Sequence, residues 1–207
     1  SRLLGTNPIT VAIPANKYPP FVADFATTPI ARGKLAVAEK QGKNVSIGFV
    51  QDKEGNPTDN PSILKEGGSM LTLGGDYEHG SHKGYCLSAI VDIFSAVFSG
   101  ANFGPFVPPS VAYLPVLNEK VGEGTGHFFG AMRIDAFQEA EAFKNKMDKW
   151  IETFKNAKPA KGYDRVYIPG EIEREKEIEI SKSGIDIISA VKDELIIIAK
   201  ELEIDFI

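Results

Sequence analysis

His82 and Lys83 stand directly before a long apolar run, Tyr85 to Phe98, that reads as a buried helix. The N-terminus of such a helix offers backbone N–H groups and the positive end of the helix dipole. A lysine beside it makes a compact anion site suited to a phosphate. The flanking Gly80 and Gly84 let a ligand approach the backbone. Lys83 reads equally well as a surface charge and His82 as an ordinary loop residue, and the residues alone leave both open. Asp24 lies near the end of the apolar stretch Phe21-Val22-Ala23-Asp24-Phe25-Ala26. A carboxylate at a strand end can accept both hydroxyls of a ribose, or it can cap the helix that follows. His127 heads a further apolar stretch, either as a packed histidine or as an acid–base group titrating near neutrality.

Other chemistries lack their residues. His79 and His82 are three apart, but no partners follow at zinc spacing, so no metal is expected. Cys86, the single cysteine, cannot form an internal disulfide and reads as a small buried residue. The chain has no Gly-x-Gly-x-x-Gly fingerprint, no Walker loop and no Gly-x-Ser-x-Gly elbow.

The elements that must hold these residues follow from local pattern. Ile9–Ile13 and 21–26 are short, apolar and rich in β-branched residues, so both read as strands. Thr27, Thr28 and Pro29 look like the start of a helix running from Ala31 to Lys40 and stopping at Gly42. Val45–Val50 reads as a strand, and 51–68 as a polar loop. The helix after Lys83 carries small residues between large apolar ones and closes at Gly100. Gly126–Ile134 reads as a strand, followed by an amphipathic helix capped by Asp135 and carrying Phe143, Met147, Trp150, Ile151 and Phe154. Val166–Ile168 is a further short strand, ending at Pro169-Gly170-Glu171. The charged stretch Ile172–Ile180 suits a solvated helix or loop, and a last helix carries Ile188, Val191, Leu195, Ile198 and Leu202 on one face. The expected fold is α/β or α+β, a mixed sheet flanked by helices; nothing forces a doubly wound parallel sheet.

Bulk composition narrows the partners. The 207 residues are 43% hydrophobic and 25% charged, as in an average globular protein. With 28 acidic and 23 basic residues the net charge is −5, which argues against nucleic acid but not against a small anion. No run of about 20 apolar residues is present, so no membrane span is expected, and no signal peptide is visible. The expectation is a cytoplasmic protein. The chain opens without methionine and enters what reads as the middle of a fold, so a fragment or processed product is expected.

Six segments together resemble a known family. Leu4-Gly5-Thr6-Asn7-Pro8-Ile9, Asp24-Phe25-Ala26-Thr27-Thr28, Ala31-Arg32-Gly33-Lys34, His82-Lys83-Gly84-Tyr85, Gly126-His127-Phe128-Phe129 and Pro169-Gly170-Glu171 occur in order along nearly the whole chain. Each alone is weak; the ordered set is similar to the malate/L-lactate dehydrogenase family, which includes sulfolactate, ureidoglycolate and diketogulonate enzymes and cyclic imino-acid reductases. The resemblance implies a family-specific, non-Rossmann fold binding NAD or NADP, and a homodimer with its active site between domains. It places Asp24, Phe25, Ala26, Thr27 and Thr28 along the cofactor. It places His82 and Lys83 on it as well, with Lys83 on phosphate, and Pro169, Gly170 and Glu171 closing over it. Thr6 and Asn7 would lie near the nicotinamide and the substrate. Residues 1–170 would form the NAD(P)-binding domain, and 171–207 a helical segment packing with an N-terminal domain. Cys86 stands where the family usually has Gly, and Thr28 where Ser is common.

The implied reaction is reversible hydride transfer between a nicotinamide and C2 of a small 2-hydroxy/2-oxo acid such as malate or lactate. One proton must move with the hydride, which calls for a histidine. In the family that histidine, and an arginine for the substrate carboxylate, reside in a further N-terminal portion; none of His79, His82 or His127 matches it. No catalytic residue is therefore expected from this sequence. The alternatives are a nucleotide-binding fragment without turnover and a purely structural α+β domain. Preference between NAD and NADP stays open, because Arg32 and Lys34 are too loosely placed to assign to a 2′-phosphate.

Overall fold

The computed structural model describes residues 2–109 and 119–205. Ser1, 110–118 and 206–207 lie outside the described residues, and with them the last two positions of the expected C-terminal segment.

The chain begins with an antiparallel hairpin. β1 (Ile9–Ile13) pairs with β2 (Phe21–Phe25), in a register running from Ile9↔Phe25 to Ile13↔Phe21. Prolines 14, 19 and 20 keep the connection out of the ladder. Asp148 clamps that connection by accepting the backbone N–H groups of Asn16, Lys17 and Tyr18. α1 (Arg32–Lys40) follows. β3 (Val50–Gln51) then sits between β4 (Pro57–Thr58) and β5 (Ser69–Met70) in a second antiparallel sheet. Leu35 of α1 packs on Val50 and Ile63, with Ile30, Val45, Phe49, Leu64 and Met70 around them. The α+β class expected from the sequence is what folds, and all pairings among the described residues are antiparallel.

Four helices complete the order: α2 (Ser81–Asp92), α3 (Ala140–Lys155), α4 (Glu171–Ser183) and α5 (Ser189–Glu201). α2 runs on into a π-type turn at Ile93–Val97, where the Phe98 N–H reaches the Ile93 carbonyl at 2.8 Å. α3 carries Trp150, whose ring meets Phe21 edge-on at 5.8 Å, and buries Ile151. None of the described helices is long and apolar enough to cross a membrane.

Several local expectations differ from the structure. Only Val50 of 45–50 enters a strand; Gly48, at φ 94°, and a Phe49 N–H bond to the Ser46 carbonyl curl the rest into a turn. Gly126–Ile134 and Val166–Ile168 form no strand among the described residues. The first lies exposed along the side of α2, where Phe128 packs on Phe94 at 5.0 Å. Ile168 is instead buried next to β2. α1 starts at Arg32 with no side-chain cap, and the Thr28 hydroxyl bonds the Ile30 carbonyl. Glu139, not Asp135, caps α3, because Asp135 is held by Arg133.

The largest difference concerns α2, expected to be buried all round. Its buried residues are the small ones, Gly84 and Ser88, with Ala96 in the π-turn. Its large apolar side chains point outward, with Tyr85 55% and Phe98 76% exposed. The chain as a whole exposes 15051 Å². A compact monomer of its 22.5 kDa would expose about 9,500 Å².

Candidate functional site

Thr6, Asn7, Thr27 and the helix that carries His82 and Lys83 meet at one junction of backbones. Thr27, fully buried, sends both its N–H (2.8 Å) and its hydroxyl (2.9 Å) to the Thr6 carbonyl. Its own carbonyl accepts the Leu73 N–H at 3.0 Å. Leu73 lies directly under α2: a Cβ built on Gly84 would stand 2.1 Å from the Leu73 carbonyl oxygen. Only a residue without a side chain allows the helix and the Leu73 turn to come this close. The Thr72 hydroxyl reaches the Ser81 carbonyl at 2.8 Å, and the Asn7 amide reaches the Ser88 carbonyl at 3.0 Å. Asn7 also holds a left-handed backbone at φ 35°, uncommon for a residue with a side chain. Thr6, Asn7 and Thr27 are thereby locked to the helix whose first turn carries His82 and Lys83.

That first turn is less open than a bare helix end. The Ser81 N–H bonds the Asp76 carbonyl and the Lys83 N–H bonds the Gly80 carbonyl, both at 2.9 Å. The expectation that free N–H groups make the anion site is corrected accordingly: those two donors have partners. What remains is the Lys83 ammonium, exposed and without an ion pair among the described residues. His82 leans on the Tyr77 ring at 5.5 Å. His79 is held by the Asp76 carboxylate through its backbone N–H and through Nδ1 at 2.6 Å, and these bonds hold the Asp76 carboxyl below its ordinary range. His127 is neither packed nor paired with a carboxylate; it is exposed and stacks on Phe129 at 6.2 Å. Cys86 is exposed rather than buried, on the outward side of α2. No metal-ligand cluster exists among the described residues.

The second half of the site is the outer edge of β2. The Val22 N–H donates to the Pro169 carbonyl at 3.1 Å, so Pro169-Gly170-Glu171 runs alongside the strand that carries Asp24. Gly170, at φ 88°, lies so close that an added Cβ would stand 3.1 Å from the Val22 Cβ. Asp24 is exposed, and its Oδ1 accepts the Thr10 hydroxyl at 2.6 Å. It does not cap α1. Asp24 is three residues from Thr27, at most ~11 Å of chain, so edge and junction adjoin. Phe25 and Ala26 fill the interval between them, and Thr28 follows Thr27.

Glu171 anchors the turn. It pairs with Lys155 of α3 and accepts the Ile168 N–H at 3.1 Å. Burial pushes its carboxyl upward, but the Lys155 and Ile168 bonds outweigh that and hold it below the ordinary value. Beside this pair a cleft of about 250 Å³ opens between α3 and α4, walled by Ile151, Ile168 and Ile178. Arg174 stands at the cleft and donates to the Pro20 carbonyl at 3.2 Å. The sequence singles out neither Lys155 nor Arg174, since each is one basic residue in a charged helix. Only the partner across the fold gives them a role.

A free cation beside a helix N-terminus and an exposed carboxylate at a strand edge form a donor set that suits a dinucleotide, with the cation for phosphate and the carboxylate for ribose hydroxyls. Comparison with known proteins identifies the family. The family model described as malate/L-lactate dehydrogenase matches residues 1–196. The chain belongs to the malate/L-lactate dehydrogenase family. It is 36% identical over 208 residues to the malate dehydrogenase of Pyrococcus horikoshii, covering 99% of this chain and 54% of that protein. It is 35% identical over 201 residues to the L-sulfolactate dehydrogenase of Methanocaldococcus jannaschii, covering 97% of this chain and 54% of that one. Among solved structures, the malate dehydrogenase of Entamoeba histolytica aligns with a TM-score of 0.80 at 30% identity, over 99% of this chain and 56% of that one. The chain thus spans about half the length of the relatives it matches.

Proposed function

We propose that this chain is the cofactor-binding part of a nicotinamide-dependent oxidoreductase acting on a small 2-hydroxy/2-oxo acid such as malate or lactate. The observation that carries this reading is the Thr6–Thr27–Leu73–Gly84 junction. It brings four separate segments to one place, with Lys83 on one side and the Asp24 edge on the other. The printed activities of the relatives, malate and sulfolactate dehydrogenase, support the reaction class.

In this reading NAD or NADP, when bound, supplies the hydride chemistry. Lys83 takes the phosphates and His82 lies against the cofactor beside it. Asp24 to Thr28 line it, and Pro169-Gly170-Glu171 covers it. Asn7 and Thr6, held rigidly against α2, present the substrate end. Rigid placement matters because an ångström of misplacement costs a large factor in rate. Proton transfer is assigned to none of His79, His82 or His127, whose contacts point elsewhere.

Residues 1–170 form the cofactor domain in this proposal, and α4 and α5 form a helical segment that also bridges to an N-terminal domain. The outward aromatic face of α2, continued by Phe128 and the 89%-exposed Phe129, supports a homodimer. Exposed apolar surface of this extent marks an interface.

NADH fluorescence titration of this chain, beside Lys83→Ala, tests the reading. Saturable binding, weakened roughly tenfold by loss of one charge-assisted contact, is expected. Absence of saturable binding overturns it. Sedimentation of the same sample tests the dimer, and turnover with malate separates an enzyme from a nucleotide-holding fragment.

A further inference from the structure

We infer that Asp148 of α3 is a positioning residue for the ligand site: it holds the tip of the β1–β2 hairpin and, through β2, sets where the Asp24 edge stands against the Pro169–Glu171 turn. This rests on the cofactor reading above. Three features lead there.

First, the hairpin tip has no backbone structure of its own. Residues 14–20 join β1 to β2, with prolines at 14, 19 and 20. None of their N–H groups bonds another backbone group among the described residues. The Asp148 carboxylate takes three of them in succession, from Asn16 at 3.1 Å, Lys17 at 2.9 Å and Tyr18 at 3.2 Å. Successive N–H groups aimed at one anion make a concave seat, and bonds to a charged acceptor are the stronger kind. Burial pushes the Asp148 carboxyl upward, but these donors outweigh that and hold it below its ordinary value. One side chain, 130 residues along the chain from Tyr18, therefore sets the shape of the tip.

Second, the same face of α3 reaches the covering turn. Asn145, Asp148, Glu152 and Lys155 recur at steps of three and four and so share one side of the helix. Asn145 accepts the Asn16 amide at 3.2 Å, and Glu152 accepts the Lys17 ammonium and the Tyr18 hydroxyl, each at 3.2 Å. Lys155 pairs with Glu171. From Asn145 to Lys155 is about 15 Å of helix at ~1.5 Å per residue. One stiff element, seated by buried Ile151 and by Trp150 against Phe21, thus grips the hairpin tip at one end and the turn at the other.

Third, little else joins the two walls. Two hydrogen bonds link hairpin and turn directly among the described residues, Val22 N–H to the Pro169 carbonyl and Arg174 to the Pro20 carbonyl. With the tip released, β2 is left to pivot about Val22. Asp24 lies six residues beyond Tyr18, roughly 20 Å at ~3.3 Å per residue, so Asp148 acts through the strand and not on a ligand at the Asp24 edge.

The test is NADH titration of the whole chain beside Asp148→Asn, Asp148→Glu and Asn102→Ala. Asp148→Asn removes the charge and replaces one acceptor by a donor, and NADH should bind about three- to tenfold more weakly. Asp148→Glu, which keeps the anion, should recover part of that loss. Asn102→Ala is the control for stability alone: Asn102 follows the π-type turn, at the other end of α2 from Lys83, and its loss should lower the melting temperature and leave the affinity unchanged. Trp150, the only tryptophan, reads the hairpin contact directly. Its emission should move to the red in Asp148→Asn, as the ring leaves Phe21 for water, and stay put in Asn102→Ala. Should Asp148→Asn fail to fold, Tyr18→Phe removes one Glu152 bond and keeps the ring, and a weakening of about twofold is expected from it. Affinity at the wild-type level in these variants overturns the inference while the cofactor reading stands. So does a loss in Asp148→Asn no larger than Asn102→Ala shows at the same melting temperature. Wild type that binds no NADH overturns both.

Discussion

Replacing Gly84 by alanine puts the packing argument to its sharpest test, because the same substitution elsewhere should act in the opposite direction. At Gly84 the new methyl would lie 2.1 Å from the Leu73 carbonyl oxygen and 2.7 Å from its nitrogen, both backbone atoms. Reaching ordinary contact at 3.4 Å requires α2 and the Leu73 turn to part by about 1.3 Å. Overpacking costs about 1–3 kcal/mol, and a backbone clash that no rotamer can relieve puts this site in the upper part of that range, about 2–3 kcal/mol. Against it stands the helix-propensity gain of Gly→Ala, about 1 kcal/mol. The net is a loss of about 1–2 kcal/mol. At ~2–4 °C per kcal/mol for a chain of this size, the melting temperature falls by about 2–8 °C. Gly33, inside α1, has nothing within 4 Å of its would-be Cβ. There only the propensity gain applies, and Gly33→Ala raises the melting temperature by about 1–4 °C. Because Gly84 follows Lys83, the α2 shift also weakens NADH binding, whereas Gly33→Ala leaves it unchanged. Thermal melts of the three proteins decide the matter. A Gly84→Ala protein as stable as Gly33→Ala would refute the close seat of α2 on the Leu73 turn and, with it, the junction on which the site is built.

Two further predictions concern other polar anchors. Asn102 is buried, accepts the Val121 and Gly122 N–H groups on Oδ1, and donates to the Gly124 carbonyl. Asn102→Ala leaves those groups without partners and should cost about 1–3 kcal/mol in denaturant unfolding; a cost near zero would mean that the 119–124 loop does not depend on it. The Glu171 carboxyl is held below its ordinary value, so the stability its pairing contributes is present above pH 4.5 and is lost as pH falls through the lowered value. Lys155→Met should therefore flatten the acid limb of a melting-temperature profile below pH 4.5 and leave the slope near neutrality alone. An unchanged acid limb would remove the pair from the anchoring of the Pro169–Glu171 turn.

The parts of the fold legible in the sequence are those governed by contacts within a few residues. The β-branched Ile9–Ile13, the stripe of Met147, Ile151 and Phe154 on α3, and the stop of α1 before Gly42 all follow from local pattern. Val45–Phe49, Gly126–Arg133 and Val166–Ile168 have the composition of strands, but a strand needs a partner, and composition cannot say whether one is present. Ile168 shows the point: it lies beside β2 and is buried there without a ladder of its own. At the site, Thr6, Thr27, Lys83 and Gly84 stand out through ordered motifs. The bonds that join them do not, because Leu73 and Ser88 take part mainly through backbone atoms that any residue possesses. Lys155 is hidden for a related reason: its role depends on Glu171, brought against it by the fold rather than by spacing.

In the proposed homodimer, the inside-out packing of α2 makes concentration a folding variable. Its small residues seat the helix on the Leu73 turn, and its large ones face outward. Ordering those outward side chains costs conformational entropy that burial recovers only on assembly. Where a partner surface completes the core, mass action sets part of the stability. The melting temperature then climbs with the amount of protein in the cell, and dilution acts on this chain much as a denaturant does.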